Sequence, residues 1–212
     1  MMEYPKIETL YNRDPKTFKV IPGELRMPEF GIISSWSITE KVDGTNVRVM
    51  WYPEEKKLIF GGRTDNAQMP TFLLSYLQET FKPEMFHDFT GDTILFGEGY
   101  GEKIQKGGGN YRKGVAFRLF DVYIDGWWLE PNSIFDIASE MNIDMVPYLA
   151  TIAGFLPQSK DGLYDIAGNT SLVATQDGGA GCEIEGVVAR SFPLLFNRKG
   201  DRVMWKLKFK DF

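Results

Sequence analysis

Aromatic and β-branched residues arrive in this chain in short runs, each closed by Gly, Asn or Asp, and that rhythm constrains the fold more than any other feature. Runs of this length and spacing read as strands joined by turns rather than as long helices. The pattern predicts strands over 37–40, 46–52, 57–60, 93–100, 116–124, 186–191 and 202–209, with turn signals at Asp43-Gly44, Asp125-Gly126 and Lys199-Gly200. Two stretches read as helices. Residues 71–81 place Phe72, Leu73, Tyr76, Leu77 and Thr80 three and four apart behind Pro70, which a first helical turn tolerates. Residues 133–141 gather Ile134, Ile137, Ala138 and Met141 on one face, with Asn132 as the cap. The segment 154–181 is loop-like, open to either a short helix or a mobile lid. The stretch before Lys41, with Arg26 and Trp36, carries no motif and is expected to complete the sheet rather than touch a substrate. The expectation is an α+β fold, antiparallel sheets with flanking helices, in a single domain over 1–212.

Composition narrows the chemistry. The one histidine, His87, and the one cysteine, Cys182, leave almost no material for a histidine-centred triad, a thiolate metal site or an internal disulfide. An enzyme of this composition runs on lysine, carboxylates and a metal held by oxygen. No uncharged apolar run approaches bilayer length and the start is not a signal peptide, so no membrane partner and a cytoplasmic location are expected. A net charge of −5 argues against a surface coated in cations for non-specific nucleic-acid binding. Locally the balance reverses. Residues 186–212 carry Arg190, Arg198, Lys199, Arg202, Lys206, Lys208 and Lys210 against Asp201 and Asp211, and 101–118 is also basic. Each stretch alone reads as a solvated face.

The informative string is Thr39-Glu40-Lys41-Val42-Asp43-Gly44-Thr45-Asn46, a lysine ahead of a tight turn between two strands. Lysine attacks only as the neutral amine, and with an ordinary pKa of ~10.4 well under ~1% is neutral at pH 7. Nearby cations or a metal raise that fraction. Lys206 and Lys208 alternate with Leu207 along a strand and so share one face, an arrangement suited to a phosphate undergoing in-line displacement.

Lys41-Val42-Asp43-Gly44 resembles motif I of the covalent nucleotidyltransferases, the superfamily of DNA ligases, RNA ligases and mRNA capping enzymes. Further landmarks follow in family order. Gly61-Gly62-Arg63-Thr64 resembles the arginine motif, Phe96-Gly97-Glu98-Gly99-Tyr100-Gly101 the third motif and Phe120-Asp121 its aromatic–acid successor. Glu185-Gly186-Val187-Val188-Ala189-Arg190 is similar to motif IV and Trp205-Lys206-Leu207-Lys208 to motif V. Asn46, where DNA ligases typically carry arginine, and the Ile104-Gln105-Lys106-Gly107 segment resemble the RNA ligase 2-like group.

The resemblance implies a nucleotidyltransferase (ATP-grasp-like ligase) domain with a cleft between sheets, and an ATP-dependent RNA ligase activity. It implies that Lys41 takes AMP from ATP, that Lys206 and Lys208 serve catalysis, and that Glu185 holds Mg2+ or Mn2+ beside the nucleotide. Glu40 is expected beside the adenine and Phe120 stacked on it, Glu98 on the ribose hydroxyl, and Arg63 on ribose or phosphate oxygens, turn solvation being nearly as good an account of Arg63. Asn46 is expected to orient the metal or the RNA end, within the nucleotide site. Asp43 reads as a turn residue rather than a base. The implied partners are ATP and RNA ends or a nicked RNA duplex, for a monomer, and no accessory domain is evident after motif V. The alternatives are a DNA ligase, a GTP-dependent capping guanylyltransferase, or a non-catalytic module that binds nucleotides or nucleic-acid ends.

Overall fold

The computed structural model describes residues 2–212. Strands appear in the order β1 (Glu8–Thr9), β2 (Tyr11–Arg13), β3 (Val20–Leu25), β4 (Ser35–Lys41), β5 (Thr45–Tyr52) and β6 (Lys57–Gly62). They continue with β7 (Thr93–Gly101), β8 (Val115–Ile124), β9 (Trp127–Trp128), β10 (Tyr148–Ala153), β11 (Gly186–Ser191) and β12 (Met204–Lys208). The helices are α1 (Thr71–Thr80), α2 (Pro131–Glu140), α3 (Lys160–Ala167) and α4 (Leu172–Gln176). Mixed α+β architecture with largely antiparallel sheets is therefore borne out. The chain divides into two compact units. One contains the residues up to Pro5, Asp43–Val146 and Asp177–Ala180; the other contains Lys6–Val42, Pro147–Gln176 and Gly181–Phe212.

The first unit is built on the antiparallel sheet β6-β5-β7-β8-β9, with α1 and α2 packed against β8. Alternation along β5 sends Val47, Val49 and Trp51 into a core with Leu95, Leu119, Leu73 and Leu77. Asn46, Arg48 and Met50 take the other face. That face is covered from the N-terminus: Tyr4 packs its ring 5.0 Å from Phe96 and 5.0 Å from Phe120, and donates its hydroxyl to Asp121 Oδ2 at 2.8 Å. Helix α2 starts two residues earlier than its sequence suggests. Glu130 is the N-cap and Pro131 occupies the first turn, where its fixed φ suits helix entry, so Asn132 lies inside the helix and caps nothing.

The second unit carries the sheet β1-β12-β11-β4-β10, in which β1 runs parallel to β12 and the other pairs are antiparallel, and beside it the hairpin β2-β3. Trp36 and Ile38 of β4, Val187 and Ala189 of β11, and Trp205 and Leu207 of β12 form one buried face. Trp36 and Trp205 meet edge to face at 5.7 Å. The residues before Lys41 do complete the sheet, through β1 and β4. The 154–181 segment holds two helices, α3, capped by Ser159 Oγ on Gly162 N at 3.0 Å, and α4.

Candidate active site

In the second unit, burial of Trp36 and Ile38 turns Thr39 and Lys41 to the opposite face of the sheet, and burial of Trp205 and Leu207 does the same for Lys206 and Lys208. Strand β11 lies between β4 and β12, and its first residue, Gly186, is the register partner of both Lys41 and Lys208. Glycine is needed at this rung, because a Cβ would collide with the Leu207 carbonyl oxygen and stand 2.7 Å from Lys208 Cα. Glu185, one residue earlier, is thereby delivered to both lysines. Its Oε2 accepts from Lys41 Nζ at 2.5 Å and its Oε1 from Lys208 Nζ at 2.5 Å. Side-chain exposures of 21% for Lys41, 11% for Glu185 and 22% for Lys208 leave the cluster partly open to solvent. Two ammonium groups on one carboxylate, with Lys206 two residues away on the same face, make a cationic surface suited to phosphate.

Glu40 is on the other face. It is 1% exposed, and its carboxylate accepts from Ser171 Oγ at 2.5 Å, Leu172 N at 2.9 Å and Val173 N at 3.2 Å. It thus holds the start of α4 from more than a hundred residues away in sequence.

The other expected site residues belong to the first unit. Asn46 on β5 is paired with Glu98 on β7, and Glu98 with Arg118 on β8, so the three side chains stand in one row on the face away from the core. The buried Oδ1 of Asn46 has no hydrogen-bond partner among the described residues, an acceptor left for an incoming donor. Beyond this row β8 has a bulge: Phe96 pairs with Asp121 and Gly97 with Leu119, leaving Phe120 as the extra residue. The bulge breaks strict alternation and puts Phe120 and Asp121 on the same side, half-buried and buried respectively, both against Tyr4. Arg63, just past β6, is exposed and donates from Nε to the Tyr4 carbonyl at a long 3.5 Å.

The Asp43-Gly44 turn is pinned to the same unit by contacts that the sequence did not reveal. A Cβ on Gly44 would stand 2.8 Å from Glu98 Cγ and strike the Gly99 carbonyl, so the motif I turn lies directly on the motif III strand. Gln105 Nε2 donates to Gly44 O at 2.9 Å, and Tyr111 Oη accepts from Asp43 N at 3.2 Å. The Ile104–Gly107 segment, noticed only as a mark of the RNA ligase 2-like group, thus has a structural task.

Asp177 was missed altogether, and nothing in its Gly-rich surroundings signals it. Its Oδ1 accepts from Arg118 Nη2 at 2.8 Å and its Oδ2 from Tyr100 Oη at 2.6 Å, while Arg118 Nε donates to Tyr100 Oη at 3.0 Å. Burial, reinforced by the bond to Asp177, pushes the Tyr100 phenol well above its ordinary pKa. Burial would lower the Arg118 guanidinium, but its bonds to Tyr100 and Asp177 more than offset that and raise it.

Among the described residues no group of three or more His, Cys, Asp or Glu is arranged to hold a metal. The single carboxylate of Glu185 fits a hard divalent cation of the kind that takes one or two carboxylates and completes its shell with substrate phosphates and water.

The sequence profile of the RNA ligase family matches residues 34–208. Comparison with curated protein sequences gives no match. Among solved structures, the chain is similar to Naegleria gruberi RNA ligase. A mutant of that protein with ATP and Mn aligns at a TM-score of 0.66 and 18% identity, over 97% of this chain and 62% of that one. A mutant with AMP and Mn aligns at 0.65 and 19%, over 96% and 61%, and a further mutant with ATP and Mn at 0.64 and 20%, over 97% and 62%. This chain spans about three-fifths of the length of the solved ligases it matches. The shared architecture is the RNA ligase nucleotidyltransferase fold, and with the profile covering most of the sequence, from the strand of Lys41 to Lys208, the chain belongs to the RNA ligase family.

Proposed function

We propose that this chain is an ATP-dependent RNA ligase that joins 5′-phosphate and 3′-hydroxyl ends, and that Lys41 is its nucleophile. The observation that carries the reading is the Glu185 carboxylate held at 2.5 Å by both Lys41 and Lys208. It ties the lysine of motif I, the acid of motif IV and a lysine of motif V into one cluster.

Lys41 Nζ, once released from Glu185 and deprotonated, attacks the α-phosphorus of ATP. The new N–P bond forms as the bond to the bridging oxygen breaks and pyrophosphate leaves. Lys208 and Lys206 neutralise charge building on the phosphate oxygens. The 5′-phosphate of RNA then displaces Lys41 to give an adenylylated end, and the 3′-hydroxyl of the second end displaces AMP to seal the strand. A divalent ion, Mg2+ or Mn2+, held by Glu185 supplies Lewis-acid charge at the phosphate when bound. Glu98 accepts from the ribose hydroxyl, Phe120 offers its ring to the adenine, Arg63 binds ribose or phosphate oxygens, and Asn46 Oδ1 accepts from the ligand. Glu40 contributes through the strand it shares with Lys41. RNA ends in a nicked duplex are the substrate, and the protein acts as a monomer in the cytoplasm.

Incubating the protein with α-labelled ATP and Mg2+ or Mn2+, then denaturing it, tests the reading. Acid-labile label on the polypeptide that disappears in Lys41→Ala is expected. Label from GTP instead points to a capping enzyme, and sealing of deoxy nicks in preference to ribo nicks points to a DNA ligase. No label from any nucleotide, in folded protein free of bound AMP, leaves a binding module and ends the ligase reading.

A further inference from the structure

Beside the outer strands of the second unit lies a cavity of about 750 Å3, lined by residues of β1, β2 and β3 and by those of β12 and the residues after it. Lys206 and Lys208 line it, together with Lys6, Arg13, Arg26 and Lys210. Three acids, Glu8, Glu24 and Asp211, oppose these six cations. Two of the acids are already engaged: Glu8 meets both Lys6 at 3.4 Å and Arg26 at 3.3 Å, and Asp211 meets Arg13 at 2.9 Å. The lining keeps an excess of positive charge inside a chain whose net charge is −5. Such a local reversal of sign concentrates field where a polyanion would lie.

We propose that this cavity is the track for the phosphate backbone of an RNA strand, leading to Lys206 and Lys208. The inference rests on the ligase reading for the identity of the polyanion. Lys206 and Lys208 are one two-residue strand repeat apart, about 6.7 Å, and Lys210 follows them. Together with Lys6, Arg13 and Arg26 from other strands of the lining they form an extended array, which suits the repeating charge of a polynucleotide better than the compact charge of a pyrophosphate. The phosphate contacts would set register and grip without reading sequence.

The test uses a fluorescent single-stranded RNA with a 5′-hydroxyl, which can be neither adenylylated nor ligated, and measures its anisotropy against salt concentration. The variants are Lys6→Gln/Lys210→Gln, which removes two cations outside the Lys41–Glu185–Lys208 cluster, and Glu24→Gln, which removes an opposing acid. Losing two single-strand phosphate contacts should flatten the slope of log K against log salt by about 1.4 and weaken binding about 25-fold at about 0.1 M salt. Glu24→Gln should tighten binding, a gain that misfolding cannot mimic. Lys41 labelling by ATP should stay at the wild-type level in both variants. RNA affinity and slope unchanged in both variants would overturn the assignment. So would a raised KM for ATP with RNA binding intact, because the cavity would then belong to the pyrophosphate end of the nucleotide. Charge-dependent RNA binding in a protein that never labels would keep the track and discard the ligase chemistry.

Discussion

Replacing Glu40 separates its two possible services, holding α4 and touching nucleotide. Its carboxylate takes three hydrogen bonds, and two of the donors belong to Ser171 and Val173, both fully buried, while Leu172 is 40% exposed. In Glu40→Ala, water can reach the Leu172 N–H, but the Ser171 hydroxyl and Val173 N–H lose a buried acceptor. At about 1–3 kcal/mol for each unsatisfied group, the loss is about 4 kcal/mol. Glu40→Gln keeps an acceptor for the two backbone N–H groups, and Ser171 Oγ can turn to accept, as it already does from Ala174 N at 3.1 Å. What goes is the charge assistance, about 1–2 kcal/mol. Urea unfolding should give this order, Ala far below Gln, and for a chain of this size the Ala variant should melt about 10 °C lower. Adenylylation by the folded Gln variant should then retain the wild-type KM for ATP. Near-wild-type stability for both variants with a KM raised tenfold or more for Gln would refute the capping argument and place Glu40 in the nucleotide site.

Two further outcomes concern stability. Burial raises the Tyr11 phenol to about 12, and its buried hydroxyl has no partner among the described residues, so Tyr11→Phe should stabilise by about 1 kcal/mol. Because the folded state favours the neutral phenol, wild-type stability should hold below pH 10 and fall as the pH climbs towards 12, and unfolding curves of the Phe variant should lack that part of the fall. Arg118→Ala takes one of two cations from Asp177, whose side chain is 5% exposed and which keeps Tyr100 and Arg112, and should cost about 2–3 kcal/mol in urea melts. A loss below about 1 kcal/mol would mean that Tyr100, Arg112 and water satisfy Asp177 when Arg118 is gone.

Strands that bury one face and bond to close neighbours were legible from sequence. β11 has the predicted limits, 186–191, and β5, β7 and β8 lie within one residue at each end. Elements whose stability comes from far away were not. β10 is an edge strand with only Ile152 buried, so its alternation carries little signal. β1 and β2 are two and three residues long, and β1 exists through pairing with β12 at the other end of the chain. Helix α4 is five residues and begins on the carboxylate of Glu40. The site divides the same way. Lys206 and Lys208 share a face because strand alternation is local, whereas the Gln105 clamp on Gly44 and the Asp177 bonds to Arg118 and Tyr100 are tertiary facts with no local pattern.

The parallel pairing of β1 with β12 also sets an order of events during synthesis. Apart from its short N-terminal piece and Asp177–Ala180, the first unit is one continuous stretch, Asp43–Val146, whose strands pair with near neighbours. It has nearly everything it needs while the ribosome is still working, in line with domains folding as they emerge. The second unit must wait. Its sheet places β12 between β1 and β11, so β1 has no partner until β12 has left the exit tunnel. Through that interval the β1 segment and the apolar side of β4 stay open to other chains, and the lysine cluster on Glu185 cannot close until the final strand is in place.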